Sequence, residues 1–320
     1  MFIYRAPFVN FMAKLRSLND LSETEAQREI ASTDAVLFDV DGVLLSDKAV
    51  LPGAEAAVQK LRALGKQIGF VTNNTLYTLE KIQANLAQFS AQFDEVINPT
   101  AALLEYLRKI DFQKDIYMIS TSEPKRLVRA AGYNVLEFKD ILPEKIEPTL
   151  GAVYEAQELS LQRCKNVGLV YLDYDMNCGY GDIQCALNII KRIDGVQVLS
   201  GLNDDEVPGP NGALIGSQFY IDGIERLTQT KAIKMGKPGG ILGELIVSKF
   251  NLPTGSRVLM VGDNIHSDIQ FGINSGFKTL LVLSGVTKQE QVDQWDAAEE
   301  LKPDFVGRSI ADLHEKIRNM

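Results

Sequence analysis

An α/β fold with a parallel sheet covered on both faces is predicted by three observations on this chain. Its strand-like apolar runs are continuous, helical patterns separate them, and 320 residues exceed what one hydrophobic core usually holds. The polar stretch SETEAQREIAST predicts a short helix, and AVLFDV a buried strand ending in the turn DGV. LPGAEAAVQKLRALGK reads as a helix, with Pro52 near its start and Gly65 near its end. KQIGFVT is a second strand, TLEKIQANLAQF a helix and, after INPTAALLEYLRKI, KDIYMIS another strand. GLVYLDYD, DIQCALNIIKRI and VQVLSG then read as strand, helix, strand. GGILGELIVSKF, SRVLMVGD, DIQFGINSG and KTLLVLSG continue the alternation. No repeat and no low-complexity linker marks a boundary, so two compact units must be delimited by motifs.

Composition excludes several classes. A net charge of −9 disfavours broad binding to nucleic acid or anionic membranes, which attract basic faces. No apolar run is long enough to span a bilayer. Cys164, Cys178 and Cys185 are odd in number, with no CxxC pair and no secretory segment, so reduced thiols are expected and Cys185 belongs to a core. The compartment expected is the cytoplasm. The first stretch, MFIYRAPFVNFMAKLRSL, is basic and resembles a mitochondrial presequence, though poor in serine; the alternative is an N-terminal arm over 1–30.

Four segments at predicted strand ends carry chemistry. Asp39 and Asp41 flank Val40 at the end of the first strand, so both carboxylates point the same way and need a cation, a proton or a division of labour. With Mg²⁺, one is suited to attack phosphorus and the other to carry a proton; the plain alternative is an Asp-Gly turn at Gly42. Thr72-Asn73-Asn74-Thr75 offers donors for phosphate oxygens, or else caps the following helix. In Gly236-Lys237-Pro238, Pro238 fits a first helical turn and would aim Lys237 at the sheet edge, where it could neutralise phosphate; otherwise it is a solvated charge. Asp263 is placed as a ligand for a hard cation, and Asp268 as a ligand or an orienting group; the alternative is helix capping by Ser267 or Asp268. His266 reads as a polar loop residue, since Mg²⁺ disfavours imidazole.

Four such segments in this order resemble the haloacid dehalogenase (HAD) superfamily: DVDG at 39–42, VTNNT at 71–75, Lys237 in GKP, and GDNIHSD at 262–268. The resemblance implies a Rossmann-like core with Asp39 as a nucleophile that becomes aspartyl-phosphate. It implies Asp41 as general acid and then base, its carbonyl on Mg²⁺, and Thr72, Asn73, Asn74 and Gly42 beside the phosphoryl group. Lys237 would stabilise phosphate and nucleophile, and Asp39, Asp41, Asp263 and Asp268 would hold Mg²⁺. The long interval from Thr72 to Lys237 implies an inserted α/β cap over 114–230, with core parts at 31–113 and 231–320. VTNN, INPTAALLEYL, VGLVYLDYD and GKPGG are similar to the NagD, para-nitrophenyl phosphatase, phosphoglycolate and pyridoxal phosphate phosphatase group. That implies a small phosphorylated metabolite as substrate and a homodimer through the cap, for which LVYLDY is the apolar run. The alternative is a catalytically weak relative that binds a metabolite or a partner; it would show erosion at Asp39, Asp41, Lys237 or Asp263, and all four are intact. NDDEVPGPNG at 203–212 holds no His, Lys or Arg to grip an anionic substrate tail.

Overall fold

A computed structural model describes residues 15–46, 49–142, 146–147, 149–209, 211–252, 257–295 and 297–320. Most of the presequence-like stretch therefore lies outside the described residues. In chain order the strands are β1 (Ala35–Phe38), β2 (Leu45–Ser46), β3 (Ala49–Val50), β4 (Gln67–Val71), β5 (Val96–Ile97), β6 (Asp115–Ile119), β7 (Val135–Leu136) and β8 (Val167–Leu172). They continue as β9 (Gln197–Ser200), β10 (Glu206–Gly209), β11 (Gly212–Ile215), β12 (Ile233–Lys234), β13 (Val258–Gly262), β14 (Lys278–Val282) and β15 (Phe305–Gly307).

Two parallel sheets result. One has six strands in the order β15-β14-β13-β1-β4-β5, and the other five in the order β12-β9-β8-β6-β7. The second sheet is inserted between β5 and β13. It runs past the expected limit at 230, because Ile233 and Lys234 pair with Leu199 and Ser200. The expected arm, over its described part, belongs to the core: Leu18, Leu21, Ala26 and Ile30 are buried in the cluster under the first sheet. Ser22 caps the helix Glu23–Ala31 in a reciprocal box with Glu25, an arrangement that stabilises by about 1 kcal/mol.

Side chains of β1 alternate between two buried clusters, Val36 and Phe38 on one face, Ala35 and Leu37 on the other. The second cluster also holds Leu169, Tyr171, Leu199 and Met235, so the inserted unit shares a continuous apolar core with the first sheet. The run LVYLDY lies here: β8 is a buried interior strand, and the run is not available as a subunit interface. All three cysteines are free, with Cys164 and Cys185 buried. Among the described residues no helix is long and apolar enough to cross a membrane.

Candidate active site

Register brings the predicted segments together. Phe38 pairs with both Phe70 and Val261, so the chains leaving β1, β4 and β13 emerge side by side at one edge of the sheet. The Asp39 N–H donates to the Val261 carbonyl at 2.9 Å, which extends the ladder one residue and fixes the carboxylate over that edge. Gly42 has φ +84°, and a Cβ there would lie 2.4 Å from Asp263 Oδ2, so only glycine fits both the backbone and the neighbour. Its N–H donates to the Leu45 carbonyl at 2.7 Å. Gly42, expected beside phosphate, thus shapes the turn and makes room for Asp263.

Lys237 is the hub. Its ammonium donates to Asp39 Oδ1 at 2.5 Å, Asp268 Oδ1 at 2.7 Å and the Val71 carbonyl at 3.0 Å, with only 3% of its side chain exposed. Burial opposes its charge, but Asp268 and Asp39 outweigh burial and hold the amine above its ordinary range. Pro238 does not open the helix as the sequence suggested. The helix Gly240–Lys249 is capped at Gly239, and Pro238 precedes the cap after a cis peptide bond.

Asp268 sits in a π-turn, Ile265–Ile269, whose wider backbone lets its carboxylate reach back to the Asp263 and Asn264 N–H groups at 3.1 and 3.0 Å. Asn264 is the N-cap of that turn and accepts from His266 and Ser267, while Asp268 satisfies the Asn264 N–H in return; Ser267 takes no capping part. His266 is exposed, but it lies within this π-turn and not in the loop that the sequence suggested.

The polar segment after β4 divides its labour. Thr72 is buried and lines the cavity over Asp39. Asn73, expected beside phosphate, turns its amide to the Lys237 backbone, accepting from its N–H at 2.8 Å and donating to its carbonyl at 3.0 Å. Asn74 Oδ1 accepts from Leu76 and Tyr77, closing a turn. Thr75 donates to Asp173 Oδ1 at 3.1 Å, joining the first sheet's edge to the inserted unit.

Carboxylate oxygens of Asp39, Asp263 and Asp268 lie within 4.8 Å of one another. Burial, then the charges of Asp268 and Asp263, pushes Asp39 up against the pull of Lys237. Burial and Asp268 push Asp263 to about 7. Three clustered carboxylates facing one ammonium leave excess negative charge, and hard oxygen donors of this kind suit Mg²⁺. Asp39 and Asp263 fit as ligands. Both oxygens of Asp268 already accept hydrogen bonds, so it fits as the group that orients Lys237 and the Asp263 loop. The Asp41 side chain is exposed, stands outside this carboxylate cluster and lines the same cavity.

This geometry belongs with a family. Residues 36–134 match the model of haloacid dehalogenase-like hydrolases, and 234–313 that of a HAD-hydrolase-like group. The chain belongs to the haloacid dehalogenase-like hydrolases. It is 28% identical over 310 residues to phosphoglycolate phosphatase 2 of Arabidopsis thaliana, covering 92% of this chain and 96% of that one. It is 28% identical to human glycerol-3-phosphate phosphatase, covering 92% and 94%. A 4-nitrophenylphosphatase from Thermotoga maritima shares the fold at a TM-score of 0.73 and 23% identity, over 90% of this chain and 98% of that one.

The hydrolase also uses residues that the sequence reading missed. After β14, Val286 N–H donates to Asp263 Oδ2 at 2.6 Å and Ser284 Oγ to the Gly42 carbonyl at 2.6 Å. The signal was present, since SGVT follows an apolar strand just as the other segments do. Asp204, from the inserted unit, lines the cavity of about 310 Å³ that contains Asp39, and burial raises its carboxyl.

Proposed function

We propose that this hydrolase is a Mg²⁺-dependent phosphatase of small phosphomonoesters, with Asp39 as the nucleophile. The observation that supports this most is the Lys237 bridge between Asp39 and Asp268, buried beside Asp263 at the carboxyl edge of the sheet. Lys237 orients Asp39 and opposes the negative charge that a phosphoryl group brings. Asp39 attacks phosphorus, and the bond to the alcohol oxygen breaks as Asp41 donates a proton to it. Water then attacks the aspartyl-phosphate, giving its proton to Asp41 and releasing phosphate and Asp39. Mg²⁺, held by Asp39, Asp263 and the Asp41 carbonyl, would neutralise charge on the phosphoryl oxygens. Thr72 supplies a hydroxyl to the same group. The inserted unit serves as a cap, since Leu202, Asp204, Glu206 and Val207 share the cavity with Asp39.

Relatives named for phosphoglycolate, glycerol 3-phosphate and 4-nitrophenyl phosphate support a small phosphomonoester as the substrate. Purified protein should release phosphate from one or more of these with Mg²⁺ and lose the activity on chelation. Brief incubation with radiolabelled substrate should leave acid-stable label on the chain. No turnover across such a panel would sink the phosphatase reading and favour a binding role.

A further inference from the structure

Which alcohol the phosphate is attached to is decided by what the inserted unit places opposite Asp39. Asp204 and Glu206 are its two charged contributions to that cavity, beside the aliphatic Leu202 and Val207. Among the described residues the cavity's lone cation is Lys237, whose ammonium already donates to Asp39, Asp268 and Val71. Asn73, which holds the Lys237 backbone, lines this cavity together with Asp204, so the carboxylate shares one space with the phosphoryl end. The adjoining cavity of about 530 Å³ shares Asp204, Glu206 and Lys237, adds Asp205, and carries Lys234 and His266 on its lining.

We propose that Asp204 and Glu206 make the site selective for phosphomonoesters whose alcohol carries hydroxyl or ammonium groups and no carboxylate. This rests on the phosphatase reading and gives it a substrate class. Carboxylates accept hydrogen bonds from hydroxyls and ammonium, whereas a substrate carboxylate would face like charge with no free cation to meet it.

The experiment compares kcat/KM for glycerol 3-phosphate, phosphoethanolamine and phosphoglycolate at saturating Mg²⁺, with 4-nitrophenyl phosphate as the reference. Wild type should favour the first two over phosphoglycolate by about tenfold or more. Glu206→Gln, at an exposed position where folding is not at stake, and Asp204→Asn should each narrow that ratio. Phosphoglycolate should gain severalfold relative to glycerol 3-phosphate. A wild-type preference for phosphoglycolate, or a ratio unmoved in Glu206→Gln, overturns the proposal. In either case turnover of 4-nitrophenyl phosphate by wild type leaves the phosphatase reading standing, and its absence removes both. Lys234→Ala separates the adjoining cavity: collapse of phosphoglycolate turnover alone there would show that a carboxylate is bound by Lys234 and count against the proposal.

Discussion

The edge of the six-stranded sheet and the hairpin β10–β11 face one cavity and are held in opposite ways. On the edge, Lys237, Asp263 and Asp268 are 3%, 3% and 1% exposed, and each is hydrogen-bonded to backbone as well as to its neighbours. On the hairpin Glu206 is exposed, Leu214 is 37% exposed and Ile215 71%. Groups that must hold charge in register are built into a core, while groups that meet a variable part of the substrate stand on a loop. If this contrast is right, substitutions on the edge should damage chemistry and stability together. Substitutions on the hairpin should alter substrate binding and little else.

The largest effect is expected at Asp39, the proposed nucleophile. Asp39→Asn keeps the shape and the hydrogen bond but cannot form the acyl phosphate. Its kcat on 4-nitrophenyl phosphate should fall by about 10⁴-fold or more, with the circular dichroism unchanged. Activity within tenfold of wild type would remove Asp39 from the reaction. Lys237→Met comes next, because it strands Asp268 and Asp39 in a buried place without their cation. Removing one partner of a buried pair costs roughly 3–5 kcal/mol, readable in urea unfolding of the metal-free protein. A loss below about 1 kcal/mol would mean that the edge is more open to water than its burial implies.

A smaller, pH-dependent effect follows from Asp263. Its carboxyl, pushed from 3.8 to about 7 in the metal-free fold, binds a proton better folded than unfolded. The stability it contributes is therefore present below about pH 4 and lost as pH rises through about 7. With Asp263 as a proposed ligand, Mg²⁺ would compete with that proton, so its affinity should climb with pH, up to about tenfold per unit, and level off above 7. Titration calorimetry from pH 5.5 to 8.5 checks the trend, and a flat profile would exclude Asp263 as a ligand. At the junction of the two units, Asp173 accepts from Thr75, Tyr174 and Leu202 at 3.1, 2.8 and 3.0 Å. Asp173→Ala orphans those buried donors and should destabilise by about 1–3 kcal/mol. KM should rise more than kcat falls, because the inserted unit then sits less firmly over an intact edge.

What could be read from the sequence divides along the same line. Asp39, Asp41, Lys237, Asp263 and Asp268 stood out because four polar segments follow one another in a set order, although each alone also fits a turn, a cap or a solvated charge. The alternation of strand and helix was legible too, whereas the strand order within each sheet was not, and the Lys237–Asp39 contact across 198 positions became an expectation only through the order of four segments. The bond from Asn73 to the Lys237 backbone spans 164 positions and depends on how a loop closes, which no local pattern encodes. The π-turn at Ile265–Ile269 looked like an ordinary helix start, because its extra width is set by Asp268 reaching the backbone of 263 and 264. The loop Ser284–Thr287 was passed over because its residues carry no charge to draw notice, although the Val286 N–H holds the Asp263 carboxylate and the Thr287 N–H its carbonyl.

The smallest effect tests the hairpin directly. Val207 pairs with Leu214 in the two-stranded ribbon and lines two cavities that Asp41 also lines. It is half-buried, and an isolated two-stranded ribbon carries little of a fold's stability. Val207→Ala removes two methyl groups from a place where solvent and substrate, not core, are the neighbours. Stability should move by less than about 1 kcal/mol, under the cost of the same truncation in a packed interior. KM for an aromatic phosphate should rise about two- to fivefold while kcat holds, since roughly 1 kcal/mol of apolar contact with the leaving group is lost and no contact with phosphorus is. If kcat fell as far as KM rose, the hairpin would be shaping the reacting groups as well as receiving the alcohol. The division between a fixed edge and a tolerant loop would then have to be redrawn with Val207 on the side of the edge.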